Sequence, residues 1–78
     1  MRSVRRFWFP VPGHLGIGVT AESLSIAVQL ALDAAARLNW SLDATLVEED
    51  VDIRALDQDH VIPNMAPPVW PGVWFPKV

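Results

Sequence analysis

Residues 4–20 read VRRFWFPVPGHLGIGVT, and this stretch decides the fold. Apolar residues alternate with other residues before and after its central turn, PGHLG (12–16). They are Phe7, Phe9 and Val11 on the first side, and Leu15, at the end of the turn, Ile17 and Val19 on the second. Period-two alternation around a proline-glycine turn predicts a β-hairpin. We expect one face of this hairpin to carry all six apolar side chains toward the core.

The other face of the hairpin combines a large ring with bare backbone. Trp8 lies on the first strand, and Gly16 and Gly18 lie on the second. Glycine weakens a strand unless something packs over its backbone, and an aromatic ring is one such cover. We therefore expect Trp8, or a tryptophan from the C-terminal tail, to lie on the two glycines. The alternative is that the glycines only twist or bulge the strand.

A long helix is predicted after the hairpin, with Thr20 as its N-cap and Asn39 near its end. Its polar residues recur every fourth position: Ser25, Gln29, Asp33 and Arg37. This spacing favours an ion pair between Asp33 and Arg37.

The rest of the helix is apolar, which makes its apolar face unusually wide. The main face comprises Leu24, Val28, Ala31, Ala35 and Leu38, and it is widened by Ile26, Leu30 and Ala34. A single small sheet covers only one side of a helix. The excess is therefore expected to be buried by the tail, by a second copy of the chain, or by another partner.

The second half predicts a strand over 44–53, a helical turn over 54–62 with Asp52 as its cap, and an extended tail over 63–78. The tail contains five prolines, and its Val73–Phe75 segment follows a Pro-Gly turn, as a final short strand would. The predicted fold is α+β, a β-β-α-β(β) domain with one long helix on a sheet. We expect a single domain over 1–78, with a body over 1–62 and the tail packed on this body or on a partner.

Composition limits the function classes. The chain has 78 residues, 51% of them hydrophobic, no cysteine and a net charge of −3. Polar residues interrupt every candidate membrane span, and the absence of cysteine suits a reducing compartment, so a cytoplasmic protein without a membrane span is expected. The acidic second half disfavours nucleic-acid binding.

Catalytic and metal-binding patterns are sparse. No nucleophile elbow or phosphate loop is recognisable, because GHLGIG leads into a strand rather than a helix. The densest polar cluster lacks the loop pattern of a calcium site: Asp50, Asp52, Asp57, Asp59 and His60. We therefore expect no enzymatic activity, no metal and no cofactor.

Aromatic residues point to protein contact instead. The predicted interaction surface consists of Trp8, Trp40, Trp70, Trp74 and Phe75. Tryptophan is enriched at binding hot spots. The alternative is that at least two of the four tryptophans build the core of a small domain.

The segments RFWF (6–9), GIGVTAESL (16–24) and VEEDVDIRALDQDHVIPNMAPPVWPGVWFP (47–76) together resemble a family of small bacterial proteins of unassigned function. This resemblance implies no activity, but it implies that the tail is an integral part of the domain. The element order also resembles ubiquitin-like β-grasp domains, with VWFPKV as the last strand. In addition, residues 9–35 are similar to HicB-type antitoxins.

Together these features predict a non-enzymatic protein-interaction or accessory module. The expected partner is a protein, either a second copy in a homodimer or another protein. The alternative is a ubiquitin-like modifier or a HicB-like antitoxin component. The chain departs from ubiquitin-like modifiers because Gly72 is not followed by a second glycine, and it departs from HicB-type antitoxins because it carries no DNA-binding half.

Overall fold

The computed structural model describes residues 3–56 and 59–76. Its helix and strands are β1 (Arg5–Phe9), β2 (Ile17–Ala21), α1 (Leu24–Leu38), β3 (Glu48–Glu49) and β4 (Gly72–Phe75). Three short 3-10 turns cover Ala44–Leu46, Ile53–Ala55 and Ile62–Asn64. The described strands form one sheet of order β3-β1-β2-β4 in which every pairing is antiparallel. The α+β prediction of one helix on a sheet is confirmed.

The predicted hairpin is confirmed, with Phe7 opposite Val19 and Phe9 opposite Ile17. All four side chains are fully buried on the face that α1 covers. Leu15 is an exception to the prediction, since it is 43% exposed. It precedes β2 in the loop and therefore does not share the alternation of the strand.

The helix begins later than predicted, and Thr20 is not its cap. β2 continues to Ala21, so Thr20 is buried within the strand, where its hydroxyl donates to the carbonyl of Pro68. The N-cap is Ser23, whose Oγ accepts from the amide of Ile26 at 3.3 Å. The helix ends as predicted, at a left-handed Asn39 with φ 58°.

Small residues form the buried face of α1. Ala27, Ala31 and Ala35 are at most 3% exposed, whereas Leu24 and Ile26 remain exposed. Alanines let the helix backbone approach the aromatic side chains of the sheet closely, so the bulkier residues lie to either side of the contact. Leu24, which the apolar pattern places on the main face of the helix, therefore lies outside the core of this chain.

The predicted strand over 44–53 is mostly wrong. Only Glu48 and Glu49 pair with β1, and a left-handed Asp50 with φ 54° ends the strand. The helical turn that was expected after Asp52 is present as a 3-10 turn, and the carboxylate of Asp52 accepts from the Arg54 amide at 3.0 Å. Residues 57 and 58 of that prediction lie outside the described chain.

The second face of the sheet carries its own apolar cluster, which we call the tryptophan cluster. It consists of Trp8, Val61, Trp74 and Phe75, with Val51, Leu56, Met65 and Ala66 packed around them. The Ala66 amide donates to the Trp74 carbonyl at 2.7 Å and ties the preceding loop to β4. The final strand is thus confirmed, and its Trp74 and Phe75 help to cover the second face of the described sheet.

Gly16, which directly precedes β2, and Gly18, which lies within it, are both beneath indole rings, as expected. A β-carbon at Gly16 would lie 2.7 Å from Trp8 Cζ2, and one at Gly18 would overlap the ring of Trp74. No helix among the described residues is long and apolar enough to cross a membrane.

Gly18→Ala is predicted to lower the free energy of unfolding by about 2–3 kcal/mol, because the new methyl group occupies the place of the Trp74 ring. Gly13→Ala is the matched control. It adds a β-carbon that meets nothing within 4 Å, and its cost is limited to the positive φ of 81°, about 1 kcal/mol. Urea denaturation measures both. Equal losses in the two variants would contradict the close contact at Gly18.

Candidate interaction surface

Three of the five residues predicted to form an interaction surface are buried. Trp8 is 7% exposed, Trp74 1% and Phe75 5%. The ring centroid of Trp8 lies 6.0 Å from that of Trp74 and 5.6 Å from that of Phe75. These rings cover bare strand backbone and are unavailable to a partner, so their assignment to a surface is wrong and the core alternative applies to them.

Trp40 follows the C-cap of α1 and is half-buried. Its ring stacks on that of His14 in the hairpin turn, with centroids 4.1 Å apart and planes 16° apart. The indole also packs against the helix-side core. His14 therefore joins the hairpin turn to the segment that follows α1.

Trp70 is the tryptophan that reaches solvent, at 71% exposure, and its neighbour Val69 is 57% exposed. We call these two residues the Val69–Trp70 tip. Trp70 thus does not pack on its own body, and packing of this part of the tail on a partner stays a prediction. Pro68 and Pro71 flank the tip, and the hydrogen bond from Thr20 to the Pro68 carbonyl anchors it. A large apolar side chain is thus presented on restrained backbone.

A groove between α1 and β4, which sequence reasoning missed, is the second candidate surface. Its volume is about 650 Å³. We call it the α1–β4 groove, and its lining comprises Leu30, Asp33, Ala34, Arg37 and Leu38 from α1, with Val73 and Pro76 from the end of the chain. It exists because β4 is an outermost strand of the described sheet, which leaves one flank of α1 without a neighbour.

The groove combines aliphatic walls with a charged rim. Its aliphatic walls bury apolar groups, and its polar rim is a single ion pair between Arg37 and Asp33 at 2.9 Å. Both charged side chains are more than 60% exposed. The fourfold spacing of Leu30, Ala34 and Leu38 places them on one flank of the helix, but this spacing does not show that β4 lies beside that flank.

The acidic cluster has structural roles at its first two positions. Asp50 binds Arg5, and Asp52 binds Arg54. Asp57 lies outside the described residues. Within residues 3–56 and 59–76, no group of three acidic or histidine side chains is arranged to hold a metal ion.

Known proteins do not assign either surface. The chain matches no protein-family model and no curated protein, and no solved structure matches it. The resemblance to the family of small bacterial proteins therefore stays a prediction.

The β3 edge is held by a network of charges around Arg5. Its guanidinium donates to both carboxylate oxygens of Asp50 and to Glu49, each at 2.8 Å. This hydrogen bonding lowers the pKa of Asp50 from its usual value and raises that of Arg5. Arg54 lowers the pKa of Asp52 in the same way. A short acidic edge strand of this kind resists pairing with other chains.

The lowered pKa of Asp50 predicts a loss of stability in acid. A carboxylate whose pKa is depressed by folding stabilises the native state above its unfolded pKa, about 3.8, and this contribution is lost as the pH falls through the lower folded pKa. Thermal unfolding from pH 6 to pH 2 should therefore show a smaller acid-induced fall in Tm for Arg5→Gln than for wild type. Arg37→Gln is the control, because it breaks the more exposed ion pair with Asp33. Its acid-induced fall in Tm should be nearly that of wild type. An equal fall in wild type and Arg5→Gln would contradict the assigned role of Arg5.

Proposed function

We propose that this chain is a non-enzymatic protein-interaction or accessory module, which works as a homodimer or bound to another protein. The observation that carries the proposal is the exposure of Trp70 on the Val69–Trp70 tip, while Trp8 and Trp74 are buried and Trp40 is half-buried. Leaving an indole in water forgoes the free energy of its burial. Binding of a partner to Trp70 would recover that free energy.

The tip is suited to binding because its backbone is already restrained. Pro68 and Pro71 limit the conformations on either side, and Thr20 anchors the first of them. A restrained segment loses little conformational entropy when a partner binds. Tryptophan in such a setting is the residue type that most often dominates binding energy.

The α1–β4 groove supplies a second contact region on the same molecule. Apolar walls of Leu30, Leu38 and Val73 beneath a charged rim have the composition of an interface, in which an apolar centre is surrounded by polar groups. The exposed Ile26 lies one helical turn before Leu30 and extends this flank toward the N-terminus of α1.

The proposal places the module in the cytoplasm of a bacterial cell. The absence of cysteine supports a reducing compartment. The bacterial assignment depends on the motif resemblance at 6–9, 16–24 and 47–76.

Site-specific photo-crosslinking tests the proposal. The crosslinking amino acid p-benzoylphenylalanine replaces Trp70 in one variant and Ala36 in a control, since Ala36 is exposed on α1 and does not line the groove. Irradiation of cells that express the chain should give a discrete adduct from position 70 and none from position 36, and mass spectrometry of the adduct identifies the partner. Equal yields from both positions, or none from position 70, would contradict a binding role for the tip.

A further inference from the structure

The apolar flank of α1 in the groove is symmetric about one residue. Leu30 and Leu38 lie four residues before and after Ala34, and all three line the groove. When two helices pack antiparallel about a two-fold axis, residues equally spaced from the axis face each other. With the axis at Ala34, each Leu30 meets the Leu38 of the other copy, and the two alanines meet each other. Alanine at the crossing point permits close approach of the helix backbones.

The charges of the rim follow nearly the same symmetry. Asp33 and Arg37 are centred on residue 35, one helical residue or about 1.5 Å from Ala34. An antiparallel pair therefore brings Asp33 of each copy beside Arg37 of the other. A second copy thus offers each rim charge an opposite charge, whereas a partner of a single charge sign would repel one of the two.

The size of the surface also suits a helix-to-helix contact. A standard interface buries about 800 Å² on each partner, and the accessible surface of this chain is 5045 Å². α1 has 15 residues and is about 22 Å long. The groove lining from Leu30 to Leu38 covers about 12 Å of this length, and the exposed Ile26 continues the apolar flank by about one turn.

We infer that the α1–β4 groove binds a second copy of this chain, with the two α1 helices antiparallel across a two-fold axis near Ala34. This inference rests on the proposed function, because it names the partner of one of the two proposed contact regions. The Val69–Trp70 tip precedes β4, and neither of its residues lines the groove. The proposed dimer contact therefore does not use the tip, and the binding role of Trp70 is tested separately by photo-crosslinking.

Charge reversal at the rim tests the inference by sedimentation equilibrium of the full chain. Wild type should reach twice the monomer mass of 8.7 kDa. Asp33→Arg alone, or Arg37→Asp alone, should raise the dissociation constant about tenfold or more, because symmetry places two like-charge contacts in each dimer. Both residues are exposed, so each variant is expected to fold. Tryptophan fluorescence and far-UV circular dichroism check that it does.

Mixing the two single variants separates the interface from effects within one helix. An equimolar mixture should form a heterodimer with near wild-type affinity, because the positive rim of one variant faces the negative rim of the other. The within-helix pair stays broken in both chains of the mixture. The double variant Asp33→Arg with Arg37→Asp, which restores both kinds of pairing, should dimerise like wild type.

Three results would overturn the inference: a monomeric wild type at millimolar concentration, single variants that dimerise as tightly as wild type, or a mixture that associates no better than its components. If wild type is monomeric and position 70 still crosslinks to another protein, the dimer is wrong and the proposed function stands. If position 70 gives no adduct and the chain is monomeric, both are wrong.

Discussion

Two indole rings pressed against bare strand backbone hold the C-terminal tail on this domain. Trp8 lies over Gly16, and Trp74 lies over Gly18, where no side chain other than hydrogen would fit. The Nε1 atom of Trp74 is buried without a hydrogen-bond partner among the described residues, so the ring contributes through apolar area and packing. Because Trp74 belongs to β4, this contact makes the last strand part of the hydrophobic core.

Covering the second face of the sheet determines which surfaces remain open. The tail that supplies Trp74 and Phe75 adds β4 as an outermost strand beside α1, and this placement creates the α1–β4 groove. Alanines on the buried face of α1 leave the larger residues of the helix at its flanks. The same arrangement carries Trp70 away from the tryptophan cluster and into solvent. The candidate binding surfaces are thus consequences of how the core is built.

Much of the fold was predictable because period-two alternation and fourfold spacing are visible in the sequence itself. The predictions failed where contacts between distant parts of the chain determine the local structure or the exposure of a residue. Threonine often caps helices, but Thr20 is buried in β2 and its hydroxyl donates a hydrogen bond to the Pro68 carbonyl, so it does not cap α1. The strand expected over 44–53 is reduced to Glu48 and Glu49, because the left-handed Asp50 ends it. Trp70 and Trp74 have similar neighbours in sequence, so only their placement on the sheet separates the exposed ring from the buried one. The groove needs the strand order, which no local pattern encodes.

The central claim is that the tail and the hairpin form one cooperative unit, and native-state hydrogen exchange tests it most directly. The amide of Ala66, which donates to the Trp74 carbonyl, reports on the tail, and the ladder amides of β2 report on the hairpin. The account predicts that both exchange with the same free energy of opening and the same dependence on denaturant, as amides released only by global unfolding do. Exchange of the Ala66 amide at a much lower free energy, while β2 stays protected, would contradict it.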